Sequence, residues 1–267
     1  KIYVGYKKFL PSKEIYKDLQ ILRIPIIPRG KNKFFLFLNY LSHIIFGLIF
    51  LPILTRKKKF DIIFHYGAGP ITSSIPSILL KYLKSSKLII WVQDLYPDTL
   101  KSFQYIGSPI FIFLVGQIVR FIYYFSDKIL VQSKGFKPAV SQYTNSLKIS
   151  YFPNSILDTK KITPSNHKIH KNLIETLKEY KCFIFAGNLG EAQSLETIIK
   201  CCECLINESK FRMVLIGSGS RINWLKKQIS DKRLKNLVID GPFDSIYMPT
   251  IYELSTGLVI TLNDNSH

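Results

Sequence analysis

Short runs of β-branched and aromatic residues recur along the chain, separated by longer stretches with helical spacing. Residues 20–27, Phe60–Tyr66, Lys87–Val92 and Lys128–Gln132 read as four strands of the first half. Strands alternating with helical segments imply parallel pairing through crossover helices. Two helical stretches stand out because they are apolar nearly all round. Phe34–Leu54 is 21 residues long and almost uncharged, between the basic flanks Lys31–Lys33 and Arg56–Lys59; Pro109–Phe125 carries Arg120 as its single charge. By length the first could span a bilayer. It lies between two expected strands of one domain, however, and holds Asn39, Ser42 and His43 in its middle. The reading favoured is therefore a helix lying against the sheet with one face in the membrane interface.

Around residues 153–180 the pattern changes to Pro, Asn, Ser and Lys, which reads as a linker followed by a polar helix. The alternation then resumes: strand 182–186, helix 192–207, strand 211–216, helix 221–230, strand 237–239, helix 247–254 and strand 257–262. The division expected is a first domain over 1–158, a linker over 159–180 and a second domain over 181–267.

Charge sharpens this division. The whole chain of 267 residues carries a formal net charge of +19. Residues 1–158 hold 22 Lys and Arg against 7 Asp and Glu, a net of +15, while 159–267 hold 15 against 11, a net of +4. A basic half interleaved with apolar and aromatic runs suits an anionic membrane surface. Nucleic acid is not expected, because no zinc-finger, RNP or basic-helix signature is present. The hydrophobic share of 47% provides for a packed core. Four cysteines in a chain this long make no disulfide scaffold. Cys201-x-x-Cys204 has no second pair or His partner, so these cysteines read as helix packing residues and no metal is expected.

Candidate chemistry clusters at strand ends. Phe183-Ile-Phe-Ala-Gly187-Asn188-Leu-Gly190 followed by Gln193 and an amphipathic run reads as strand, glycine loop and helix. Unpaired N–H groups and the helix dipole could hold a diphosphate there, with Gly187 and Gly190 letting the backbone turn sharply. An ordinary βα turn fits equally. The spacing is neither Gly-x-Gly-x-x-Gly nor a P-loop. Gly217-Ser-Gly219 and Asp240-Gly241-Pro242-Phe243 are two further glycine-bearing junctions, which could surround a nucleotide with its base against backbone near Phe243, or be turn chemistry. In the first half, Trp91-Val-Gln-Asp94-Leu-Tyr-Pro97-Asp98 follows a strand, where ligands of open α/β sheets bind. Asp94 is placed to meet an acceptor hydroxyl, and Asp98 reads as a helix cap. His65, at another strand end, could orient a donor sugar or bond backbone only.

Taken in order, Trp91–Asp98, Asp127-Lys-Ile-Leu-Val-Gln-Ser133, Pro153-Asn154, Gly187–Gln193 and Gly217–Gly219 resemble the retaining family-4 glycosyltransferases. The similarity is greatest to the branch that builds bacterial O-antigen, capsule and colanic-acid type polysaccharides and transfers amino-deoxy sugars such as N-acetylfucosamine. It covers essentially the whole chain, with Lys1–Phe9 resembling an internal stretch. The resemblance implies a GT-B fold: two Rossmann-like domains with parallel sheets facing across a cleft, both incomplete here. It implies an acceptor side at Asp94 and a donor pyrophosphate at Gly187, Asn188, Gly190 and Gln193. Joined to the strand-end reading, the expected catalytic residues are Asp94 and His65, and the donor side extends to Gly217, Gly219, Gly241 and Phe243. Where many relatives carry Arg and Lys in the loop, this chain has Asn188 and Gln193, so phosphate neutralisation would lean on backbone dipoles. The implied activity is transfer from a UDP-linked donor to a lipid-linked acceptor, peripheral on the cytoplasmic face of the inner membrane, without metal or cofactor. The resemblance also implies that a first strand should precede Lys1 and a glutamate motif should follow His267, leaving the chain by itself with little or no activity. A GT-B nucleotide-sugar epimerase and a non-catalytic membrane-associated binding module are the alternatives.

Overall fold

The computed structural model describes residues 10–29, 32–102, 108–155 and 169–262. The opening Lys1–Phe9, residues 159–168 of the expected linker and the final Asn263–His267 lie outside them. The chain forms two compact units, Lys1–Ser155 and Ile156–His267.

The first unit begins with an antiparallel hairpin, β1 (Lys13–Tyr16) and β2 (Leu19–Leu22), in register Lys13↔Leu22. The strand expected over 20–27 is thus shorter and belongs to a hairpin, not to the parallel sheet. Lys17 turns the chain in the left-handed region at φ 52°, and Pro25 has no N–H to extend a ladder. Then come α1 (Lys33–Leu54), β3 (Ile62–Gly67), α2 (Ile75–Lys84), β4 (Lys87–Val92), α3 (Asp98–Ser102), α4 (Pro109–Phe125), β5 (Lys128–Val131), α5 (Phe136–Ser141) and β6 (Ile149–Tyr151).

The four-stranded sheet β3-β4-β5-β6 is parallel throughout and ordered as in sequence. Right-handed crossovers in one direction stack their helices on one face. Leu88, Ile90 and Val92 of β4 and Ile129 and Val131 of β5 accordingly pack with Ile78 of α2, Val119, Ile122 and Tyr123 of α4, and Val140 of α5. Trp91 on the other face contacts the rings of Tyr66 at 5.3 Å and Phe152 at 5.1 Å.

Asp127 pins the middle of this unit. Its carboxylate accepts from the Leu88 N–H at 2.7 Å and meets Lys81 Nζ at 2.9 Å. Burial works against the charge, but the Lys81 hydrogen bond, the Leu88 N–H and the Lys81 and Lys87 charges hold its pKa below the ordinary carboxylate value.

α1 does not lie on the sheet as expected; its main packing partner is α2. A Cβ at Gly47 would stand 2.6 Å from Pro76 Cγ, so the two helices meet closely there. The polar groups in the middle of α1 hold the incoming chain: Asn39 Nδ2 donates to Ile27 O at 2.6 Å, and the Ile27 N–H donates to Ser42 Oγ at 2.9 Å. Of its most apolar stretch only 11% is buried. Phe37, Leu41, Ile45, Ile49 and Ile53 form an exposed stripe at four-residue spacing.

The second unit contains α6 (Lys171–Glu179), β7 (Lys181–Asn188), α7 (Leu195–Cys204), β8 (Phe211–Ser218), α8 (Ile222–Asp231), β9 (Leu237–Asp240), α9 (Met248–Glu253) and β10 (Gly257–Leu258). The stretch expected as linker is partly packed structure, since Ile169, Leu173 and Leu177 are buried against β7 and β8. The parallel sheet runs β10-β7-β8-β9. Phe185, Met213 and Leu215 face α7 and α8, while Cys182, Ile184, Val214 and Ile216 face α6 and α9. Both faces are covered, which is why these strands read as continuous apolar runs. The strand expected over 257–262 is paired only at its start, and Ile260 is 86% exposed.

Candidate functional site

In the second unit, strand order reverses at β7. From β7 the chain proceeds through α7 and α8 to β8 and β9 on one side, whereas β10 returns through α9, on the opposite face, to pair with β7. Neighbouring strands with helices on opposite faces leave a crevice beyond their carboxyl ends, the usual ligand position in open α/β sheets. The sequence Gly187-Asn188-Leu189-Gly190 emerges there.

The local geometry differs from the simple strand, loop and helix expected. Gly187 and Asn188 are still strand residues, paired with Gly217 and Ser218. Only then does the chain turn, through buried Leu189 and Gly190 and a 3-10 turn over Glu191–Gln193. Ser194 sits in the left-handed region at φ 43°, and α7 starts at Leu195, three residues later than the expected 192. Neither Gly187 nor Gly190 has a positive φ. The glycines that the backbone requires are the second pair. Gly217 has φ 151°, and a Cβ on it would stand 1.9 Å from Gly187 O; one on Gly219 would stand 2.2 Å from Leu189 O.

The two loops interlock backbone to backbone. The Leu189 N–H donates to Ser218 O at 2.9 Å, and the Arg221 N–H donates to Leu189 O at 3.0 Å. Asn188 and Ser218 are left exposed at the rim. Gln193 O accepts from Thr261 Oγ1 at 2.5 Å, tying this loop to the chain beyond β10.

At the third junction Gly241 has φ 80°. Phe243 packs its side chain against the core, so the backbone there is what a planar base could meet. A pair not anticipated lies beside it: His170 Nδ1 is 2.6 Å from Asp240 Oδ1, which also accepts from the Gly241 N–H at 2.7 Å. The His170 ring stands edge-on to Phe243 at 5.3 Å. Asp240 was legible as the first residue of the glycine junction after the strand expected over 237–239, and the structure makes it the last residue of β9; His170, 70 residues away, was not legible.

In the first unit Asp94 is exposed in the loop after β4, and Asp98 lies in the first turn of α3. His65 pairs with Ile90, inside the end of β3. Its Nε2 faces Ser73 Oγ at 3.3 Å and its Nδ1 faces Ser77 Oγ at 3.4 Å. Burial, with a smaller contribution from His43, lowers its pKa to about 4, so the imidazole is neutral near pH 7.

Three carboxamides at the same sheet edge escaped the sequence reading. Asn154 Nδ2 donates to Gln93 Oε1 at 3.0 Å and also to Gln132 Oε1, and Gln132 Nε2 donates to Gln93 O at 2.7 Å. They come from the ends of β4, β5 and β6. Each is the first carboxamide after a strand, a signal visible only once the strands are known to be neighbours.

The cysteines divide by burial. Cys202 is in the core and burial pushes its thiol up to about 12, Cys201 is half-buried, and Cys204 is exposed, so it is not the packing residue expected. Among the described residues no group of three or more His, Cys, Asp or Glu is placed to hold a metal ion.

No family model matches the chain. It is 24% identical over 213 residues to the probable glycosyltransferase WbjE of Pseudomonas aeruginosa, covering 79% of this chain and 52% of that protein. The chain thus spans about half the length of the curated relative. Among solved structures it resembles an α,α-trehalose-phosphate synthase (UDP-forming) from Burkholderia vietnamiensis, with TM-score 0.63 and 12% identity over 84% of this chain and 56% of that one. It also resembles Anabaena Alr3699/HepE in complex with UDP and glucose, with TM-score 0.61 and 12% identity over 80% and 56%. A UDP-N-acetylglucosamine 2-epimerase follows at TM-score 0.54, 11% identical over 87% and 57%. At these identities the likeness is one of fold: α/β units with parallel sheets, of the GT-B kind.

Proposed function

We propose that this chain is part of a glycosyltransferase that moves a sugar from a nucleotide-sugar donor to an acceptor. The observation that carries the reading is the interlocked pair of glycine junctions at the strand-order reversal of the second unit. Backbone N–H groups and helix N-termini at such a point receive a diphosphate without metal or cofactor. WbjE and the UDP-bound Anabaena structure support the same reading.

On this reading the donor is UDP-linked, an amino-deoxy sugar, and lies over Gly187, Asn188, Gly190, Gln193, Gly217 and Gly219, with its base at Gly241–Phe243. Transfer proceeds with retention of configuration. Asp94, exposed beyond β4, meets the acceptor hydroxyl. Neutral His65 has both ring nitrogens facing hydroxyls of its own unit, which suits it to positioning more than to proton exchange.

The acceptor is lipid-linked, in bacterial surface-polysaccharide synthesis, and the protein works peripherally on the cytoplasmic face of the inner membrane. The exposed stripe of α1 and the exposed Phe113, Phe121 and Tyr124 of α4 in a basic half support that placement. The epimerase neighbour keeps one rival in view.

Nucleotide binding and liposome flotation, measured on the same chain, test the reading. A glycosyltransferase of this kind binds both UDP and anionic vesicles. UDP without vesicles favours the epimerase, and vesicles without UDP favour a non-catalytic membrane module. Transfer assays on the whole protein with UDP-sugars test the activity itself.

A further inference from the structure

A nucleoside diphosphate brings at least two negative charges to the ends of β7 and β8, yet residues 187–193 and 217–220 contain neither Lys nor Arg. The nearest basic residue along the chain is Arg221, whose N–H is bonded to Leu189 O. Its guanidinium lies over the Trp224 ring, 3.8 Å from the centroid, and donates to Glu196 Oε1. Glu196 stands in the first turn of α7, and Arg221 is the N-cap position of α8. The guanidinium is therefore parked between two helix N-termini, at the sheet edge where the donor site is read.

We propose that Arg221 is the cation that binds the donor's diphosphate, and that Glu196 holds it in place until the anion arrives. This rests on the donor-site reading above. The Arg221 side chain is 20% exposed and the Glu196 side chain 48% exposed. An ion pair open to water on one side is weakly held, so a diphosphate can displace the carboxylate. A guanidinium presents five N–H donors in a rigid fork suited to phosphate, and the hydrogen bond to Glu196 engages one of its nitrogens. Stacking on Trp224 keeps the plane oriented through the exchange. Glu196 thereby sets the affinity for the diphosphate without touching it.

The test measures UDP by calorimetry and uridine by ligand-observed NMR on the full 267-residue chain. Arg221→Gln is expected to weaken UDP about tenfold and leave uridine unchanged, the scale of one charge-assisted hydrogen-bonded pair. Arg221→Lys keeps part of the UDP affinity, because charge survives and the fork does not. Glu196→Gln is the decisive variant, since it tightens UDP a few-fold, whereas a merely structural pair predicts lower stability and no gain. Equal UDP binding by wild type and Arg221→Gln overturns the proposal alone, as does weaker UDP binding by Glu196→Gln. If the wild-type chain binds neither ligand, the donor-site reading falls and the proposal with it.

Discussion

His65 shows how far environment outweighs residue type. In water its imidazole would be partly charged at pH 6.5; here burial and His43 bring its pKa to about 4. The folded state therefore binds fewer protons than the unfolded one between these values. Its contribution is complete above pH 6.5 and is lost as pH falls toward 4, at most about 3 kcal/mol by linkage. Thermal melts across that window should show stability falling with pH, and His65→Gln should flatten the curve. A wild-type melting temperature unchanged between pH 7 and pH 4.5 would count against the burial argument. Asp127 acts lower on the scale, because its lowered pKa gives stability that fades only as pH falls through that value. Neither effect is written in the sequence. His65 is one of 5 histidines, and its burial against two serines, with the charge of His43 acting on it, distinguishes it.

At the level of elements, the informative unit is β7 and β8 with their loops. The alternation of apolar runs and glycines located both strands to within two residues at each end. It did not say which glycines are structurally required. The sequence pointed to Gly187 and Gly190, while the register Gly187↔Gly217 puts the close approach on Gly217 and Gly219. Gly217→Ala meets both a φ of 151° and a carbonyl 1.9 Å from the new Cβ. It should cost more than about 2 kcal/mol and reduce UDP binding, read by denaturant melts and calorimetry. Gly187→Ala, whose Cβ would touch only the Phe185 ring at 3.9 Å, should cost about 1 kcal/mol or less. Equal costs for the two would contradict the interlock. The missed β6 and the truncated β10 have a common cause. Three- and two-residue strands are held by their neighbours' ladders and carry too little pattern to be read alone.

For the molecule as a whole, the asymmetry of charge and the exposed apolar helices act together. On the proposed reading, Lys and Arg would draw the first unit to an anionic surface, worth about 1 kcal/mol per residue near it, and apolar side chains would then enter the interface. α1 is long and apolar enough to cross a membrane. Its docking on α2 at Gly47 and its polar ties at Asn39 and Ser42 instead support a helix held by its own unit. Phe37→Glu with Ile49→Glu should lower binding to phosphatidylglycerol-containing vesicles at least tenfold, and raised salt should weaken the wild type. Unchanged flotation of the double variant would exclude α1 as the contact.

The sequence by itself determined the fold class, the two-part organisation of βα units and the glycine-bearing strand ends. These follow from short-range periodicity and from glycine placement, which a chain carries locally. Tertiary structure decided what depends on partners distant in sequence. It set β2 in a hairpin apart from the parallel sheet and packed α1 on α2. It joined Gln93, Gln132 and Asn154 across three strands, and brought Arg221 to Glu196 and His170 to Asp240. Those pairings span from 22 to 70 residues. No local pattern encodes them, because strand order and register, not spacing, bring the side chains into reach.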